Sequence, residues 1–201
     1  MGTEKTHELD TLDGLVANTV RFAQSMYEDN KDPGYELMPM FSAISLKHKK
    51  HFVIMTPFIG ASAAEIEEGK NKLATVLKLL FACEDVSHYV MLSEAWVAGY
   101  DERTHPELAG IPAGEREDRR EMLFAMGASS DGRKLWRSFE IERDDAAIPS
   151  LGKETAKEGV TDFKGRFATL LDVPPMPEEL KADLRKKFEK AGIEINQTTY
   201  N

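Results

Sequence analysis

Three segments decide the fold: HYVMLSEAWVAGY at 88–100, EMLFAMGA at 121–128 and KLWRSFEIE at 134–142. Each reads as a strand. In the first, Tyr89, Met91, Ser93, Ala95 and Val97 share one face of an extended chain. His88, Val90, Leu92, Glu94, Trp96 and Tyr100 take the other, because successive side chains alternate. In the third, Leu135, Arg137, Phe139 and Ile141 oppose Trp136, Ser138, Glu140 and Glu142. The Ser-Ser-Asp-Gly-Arg turn at 129–133 joins the last two as an antiparallel hairpin, since Asp-Gly accepts the positive φ values of tight turns. The stretch 101–118 is charged and rich in Pro and Gly, and loops of this length tend to carry function or to move.

Upstream, residues 8–27 place Leu9, Leu12, Val16, Val20, Ala23 and Tyr27 on one helical stripe, with Thr6 as the expected N-cap. Residues 37–46 and 51–58 predict two strands. Residues 62–83 predict a helix that opens on the capping box Ser62-Ala-Ala-Glu65 and buries Ile66, Leu73, Val76, Leu77 and Leu80. Downstream, residues 143–175 lack periodicity and read as an extended arm. Pro177 then starts a helix with Leu180, Leu184 and Phe188 on a narrow stripe, and Gly192 stops it. Residues 193–201 read as a short strand or a tail.

The expected fold is α+β: a mostly antiparallel sheet of about five strands in the order β-β-α-β-β-β. The 62–83 helix packs on one face, an N-terminal helix is added, and a C-terminal helix rides on the arm. The expected division is a core of residues 1–142 and an arm of residues 143–201.

The chain has 201 residues, 41% of them hydrophobic and 30% charged, enough to build a core without disulfide or metal. Its single cysteine, Cys83, points to a reducing compartment, and a cytoplasmic location is the expectation: host cytoplasm, or the virion if the protein is phage-encoded. The apolar runs are too short to span a bilayer and the N-terminal residues lack the apolar core of a secretory signal, so no membrane association is expected. A formal net charge of −9 argues against nucleic acid, whose binders neutralise phosphates with a basic face.

The common catalytic and phosphate-binding motifs are missing from the sequence, and neither a cofactor nor a metal is expected. Three groups of residues stand out. The first is the turn Lys47-His48-Lys49-Lys50-His51, which could hold a phosphate or an acidic partner; its ordinary reading is a solvated turn that guards strand edges. The second is a sheet face carrying Glu94, Trp96, Trp136, Glu140 and Glu142. Carboxylates beside aromatics can do acid–base work, and Trp also dominates interface hot spots. The ordinary reading of that face is solvated Glu and edge-capping Trp. The third is His105 among Asp101, Glu102 and Glu107, a weak acid–base or metal cluster.

The runs at 88–96 (HYVMLSEAW), 116–126 (REDRREMLFAM) and 131–133 (DGR) resemble small uncharacterised proteins of bacterial and phage genomes. In these a Ser-Glu-Ala-Trp strand precedes a charged loop and an Asp-Arg-(Arg/Gln)-Glu strand. The resemblance has no activity attached and transfers no site residue; it implies a bacterial or phage accessory protein.

The leading expectation is a non-enzymatic interaction or assembly protein. It would hold a protein partner or further copies of itself through Trp96, Trp136, Glu94, Glu140 and Glu142 and through Leu180, Leu184 and Phe188 of the arm. The rivals are a small hydrolase or metal-dependent enzyme built on Glu94, Glu140 and His105, and a nucleic-acid accessory factor acting through Lys47–His51.

Overall fold

The computed structural model describes residues 8–56, 62–99, 105–108, 110–155, 165–190 and 196–200. Thr6, Tyr100, Asp101, Glu102 and Gly192, each given a part above, lie outside them, as do the last two residues of the strand expected over 51–58. The described chain is α+β with three helices and a seven-stranded antiparallel sheet. Helix α1 is Leu12–Asp29. Strands β1 (Met40–Ser45) and β2 (Lys50–Met55) form a hairpin, and α2 is Ala63–Cys83. Then follow β3 (His88–Val97), β4 (Arg120–Ser129), β5 (Lys134–Arg143), β6 (Pro149–Glu154), α3 (Glu178–Lys190) and β7 (Asn196–Thr199). The order across the sheet is β6-β5-β4-β3-β1-β2-β7. The expected five strands are therefore seven. The two additions are the edges: β6 comes from the stretch read as an arm, and β7 from the one read as a short strand or a tail.

Both faces of the sheet are covered. On one, α1 buries Leu12, Leu15, Val16, Val20, Ala23 and Tyr27 against Ile44, Val90, Leu92, Leu123, Ala125 and Phe139. The helix starts one turn later than the sequence suggested: a 3-10 turn fills Glu8–Asp10, and the Thr11 hydroxyl caps α1 by accepting from Gly14 N at 3.1 Å. The helix lies close to the sheet at Gly127. A Cβ there would stand 2.8 Å from Leu12 Cδ1 and 3.1 Å from Val16 Cγ2.

On the other face, α2 packs Ala74, Leu77, Leu80, Phe81 and Cys83 on Phe41, Ala43, Phe52, Tyr89 and Met91. Ser62 caps this helix as its sequence indicated, accepting from Glu65 N at 3.3 Å. The residues α2 buries all lie from Ala74 onward, so its first turns stand away from the sheet. Phe188 and Leu184 of α3 complete this side together with Ala168 and Leu170. No helix among the described residues is long and apolar enough to cross a membrane.

Candidate functional site

The strand registers decide what the singled-out residues can do together. Glu94 pairs with Leu123 and Trp96 with Glu121 across β3 and β4, while Met122 pairs with Glu140 and Met126 with Trp136 across β4 and β5. Directly paired residues share a face and chain neighbours alternate. Glu94 and Trp96 therefore lie on the α1 face, and Trp136, Glu140 and Glu142 lie on the α2 face. The single Glu- and Trp-bearing face expected from the sequence does not exist. The alternation along each strand was sound, but the offset between β3 and β5 is set by β4, and a one-residue offset inverts a face.

Glu94, Glu140 and Trp136 of that set are engaged locally. The Glu94 carboxylate accepts from Tyr27 Oη and from Leu37 N, both at 2.6 Å. Burial raises its pKa in spite of those two donors. Nearby, Arg143 holds Glu121 through two bonds of 2.6 and 2.8 Å and also reaches Pro33 O at 2.9 Å and Tyr35 O at 3.4 Å. Together these bonds clamp the connection from α1 to β1 onto the sheet. Glu140 pairs with Arg120 at 3.1 Å. Trp136 is half-buried and tilts against Phe124, with ring centroids 5.1 Å apart. His105 is exposed, its Nδ1 3.1 Å from Glu107. The would-be catalytic trio thus has two members on opposite faces and a third in an exposed turn. Among the described residues no group of three His, Cys, Asp or Glu could hold a metal.

The basic turn is engaged inside the molecule. Lys47 reaches Asp85 at 2.8 Å and Glu178 at 3.4 Å; His48 meets Asp85 at 3.1 Å. Lys49 reaches Asp10 at 3.4 Å and lies over the Tyr200 ring, and Lys50 faces Glu84 at 3.6 Å. The His51 ring sits 2.7 Å from Ser42 Oγ, and burial lowers its pKa. From the other side, α3 sends buried Lys181 to Asp85 at 2.6 Å and Arg185 to Glu84 at 2.8 Å. Burial would raise the Asp85 carboxyl, but hydrogen bonds from Lys181, Lys47 and His48 outweigh it and hold it well below the usual carboxylate range. The turn is a dock for the C-terminal helix. That helix lies on its own core: Phe188 is buried and Leu184 partly so, and Leu180 alone of the three remains exposed.

The accessible chemistry gathers elsewhere, at the end of the sheet where β1 begins, β2 and β3 end and β4 begins. Five of the nine exposed large apolar side chains among the described residues belong to it. They are Met38 before β1, Met55 closing β2, Trp96 and Val97 closing β3, and Ile111 in the connection to β4. A groove of about 390 Å³ opens beside them, beneath the first turns of α2. Met91, Met126, Ala95 and Phe167 line it, and Glu67, Lys70 and Arg166 stand among the lining residues. Glu67 receives both cations: Lys70 at 3.0 Å, and Arg166 through its side chain and through a 3.1 Å bond to the Glu67 backbone oxygen.

On the α1 side of the same end, Trp96 is 45% exposed and the Arg119 guanidinium lies 4.7 Å above its ring. Arg119 also donates to Gly114 O. Behind this pair, buried Arg116 braces the loop through two bonds to Asp118, at 2.7 and 2.9 Å, and one to Gly99 O at 3.2 Å. Of these residues the sequence had singled out Trp96. The others become visible only when strand ends distant in sequence are brought side by side. No family model matches the chain, and neither a curated protein nor a solved structure matches it.

Proposed function

We propose that this protein works by protein–protein contact, as an interaction or assembly protein, and that its contact surface is the sheet end around Trp96 and Val97. The observation that carries this reading is that five of the nine exposed large apolar side chains among the described residues lie toward one end of the sheet, with Trp96 and Val97 on the part of β3 that runs with β4 beyond β1. Scattered exposed apolar residues need no explanation, whereas their concentration toward one end points to a binding surface. The groove beneath α2 adds a recess where an anchoring side chain can be desolvated, as interface hot spots require. Methionine at its floor adapts to more than one shape of anchor.

The proposal moves the surface away from Trp136 and the C-terminal helix, which are occupied within the chain, and keeps Trp96. The test is site-specific photo-crosslinking in the native host. A crosslinker at Val97 is expected to capture a protein, or a second copy, in discrete bands. The same crosslinker at Phe22, an exposed apolar position on α1, is the control. Equal capture from Phe22, or none from Val97, overturns the proposal.

A further inference from the structure

Every described arginine except one meets a carboxylate. Arg21 pairs with Glu8, Arg116 with Asp118, Arg120 with Glu140, Arg133 with Asp13, Arg137 with Glu154, Arg143 with Glu121, Arg166 with Glu67 and Arg185 with Glu84. The exception is Arg119. Its guanidinium lies over the Trp96 ring and gives a hydrogen bond to Gly114 O, and among the described residues it has no ion pair with a carboxylate. In a chain with 35 acidic residues against 26 basic ones, an arginine held away from acids needs a physical reason.

The geometry supplies one. A guanidinium carries five N–H donors in a rigid fork, and the bond to Gly114 O engages one nitrogen. The guanidinium lies over the Trp96 ring while Arg119 itself is exposed, so donors remain for a ligand. Gly114 sits directly against the indole: a Cβ there would lie 3.6 Å from Trp96 Cδ1. Tryptophan, guanidinium and turn are thus neighbours, so the cation is held at the indole before any partner arrives. Such a fork matches a carboxylate through two parallel bonds.

Building on the proposed protein-contact surface, we infer that Arg119, stacked on Trp96, is its acid-reading element. It takes the Asp or Glu carboxylate of a partner segment whose neighbouring apolar side chain covers the exposed indole. The protein's own acidity sharpens this. With a formal charge of −9 it repels acidic partners at long range, so an acidic segment must be recognised locally, by a cation already in place.

The test uses Trp96 fluorescence in the full chain carrying Trp136→Phe, which leaves one tryptophan. The probe is a capped peptide of alternating glutamate and leucine; its glutamine–leucine counterpart is the neutral control. The acidic peptide is expected to give a saturable change, weakened about tenfold or more by Arg119→Gln and in part restored by Arg119→Lys. The loss caused by Arg119→Gln should shrink as salt is raised, because the contact it removes is exposed. Equal binding of the neutral peptide, or an acidic response unchanged in Arg119→Gln, overturns the inference. A tighter response to oligo-dT than to the peptide overturns it in favour of stacked nucleotides. If crosslinking at Val97 succeeds but is indifferent to Arg119→Gln, the acid-reading role fails and the contact surface stands.

Discussion

Glu94 shows how a residue with catalytic looks can be spent on structure. Its carboxylate takes the Tyr27 hydroxyl and the Leu37 N–H, so it joins the end of α1 to the approach of β1. Tyr27→Phe should cost about 1–2 kcal/mol, measured by urea unfolding, because the carboxylate then loses a donor in a partly buried place. The sign of the pH effect follows from the raised pKa. A carboxyl that holds its proton more tightly when folded stabilises the fold at low pH, and that contribution is lost as pH climbs from the ordinary glutamate value through the folded one. Glu94→Gln should remove this loss, so its stability relative to wild type should improve as pH rises through that window. An unchanged pH profile would count against it.

His88 runs the other way. Its Nε2 lies 2.8 Å from Leu9 O, and burial lowers its pKa. A histidine that resists protonation when folded contributes stability at neutral pH that is lost as pH falls through 6.5, its ordinary value, toward the folded one. His51, also lowered by burial, adds in the same direction. Wild type should therefore weaken between neutrality and mild acid, and His88→Gln should flatten part of that slope in thermal scans. Gly127 is a packing statement at the same scale. Gly127→Val would force branched carbon into Leu12 and Val16 and should destabilise by about 1–3 kcal/mol. Retained stability would mean that α1 can lift from the sheet at little cost.

Among the elements, α3 is the one held mainly by charge. Phe188 and Leu184 give it a small apolar footing, while Lys181 and Arg185 reach two consecutive acids, Asp85 and Glu84, that follow α2. Asp85 adopts a left-handed φ of 51°, a conformation that Asp and Asn tolerate better than most residues. Asp85→Asn keeps that tolerance and removes the charge. It leaves buried Lys181 with exposed Glu178 alone, at 3.1 Å, and should cost about 2–3 kcal/mol in urea unfolding. Proteolysis should then cut first near α3. A global loss without local cutting would show that the helix does not open separately.

The elements also show what was legible beforehand. The α2 cap, the stripe of α1 and the turn at Gly132 depend on residues close in sequence, and they were readable. β6 was not: it opens on Pro149, contains Gly152 and lacks a clean alternation. β7 was legible in part: residues 193–201 read as a short strand or a tail, and the polar Asn-Gln-Thr-Thr becomes a strand on the edge that β2 offers. Faces were misjudged for a related reason. Register between strands is a tertiary quantity, and Trp136 looks the same from the sequence whichever helix it faces.

At the scale of the whole molecule, one sheet separates two cores, and each face is covered by helix. This is why the proposed surface does not lie on an open sheet face. An antiparallel sheet usually leaves one face to water, but the apolar stripe of α1 needed burial and took it. What remains for contact is an end, where strands stop and side chains lose their neighbours. Arg119 was hidden by the same logic: in sequence it is one more charge in a charged loop, and its isolation is visible only once the other arginines have found their acids.

The strand order also sets a timetable. The inner strands come from residues 40–143, whereas β6 and β7 flank them from later in the chain. β2 must wait for β7 across about 140 residues of synthesis, at roughly 5–20 residues per second. For roughly 7–28 seconds a nascent chain therefore presents β2 as an open edge, with the Lys47–Lys50 turn beside it and α3 not made until late in that interval. Before those lysines dock a helix, they would serve as gatekeepers that keep neighbouring chains on a polysome from pairing through that edge.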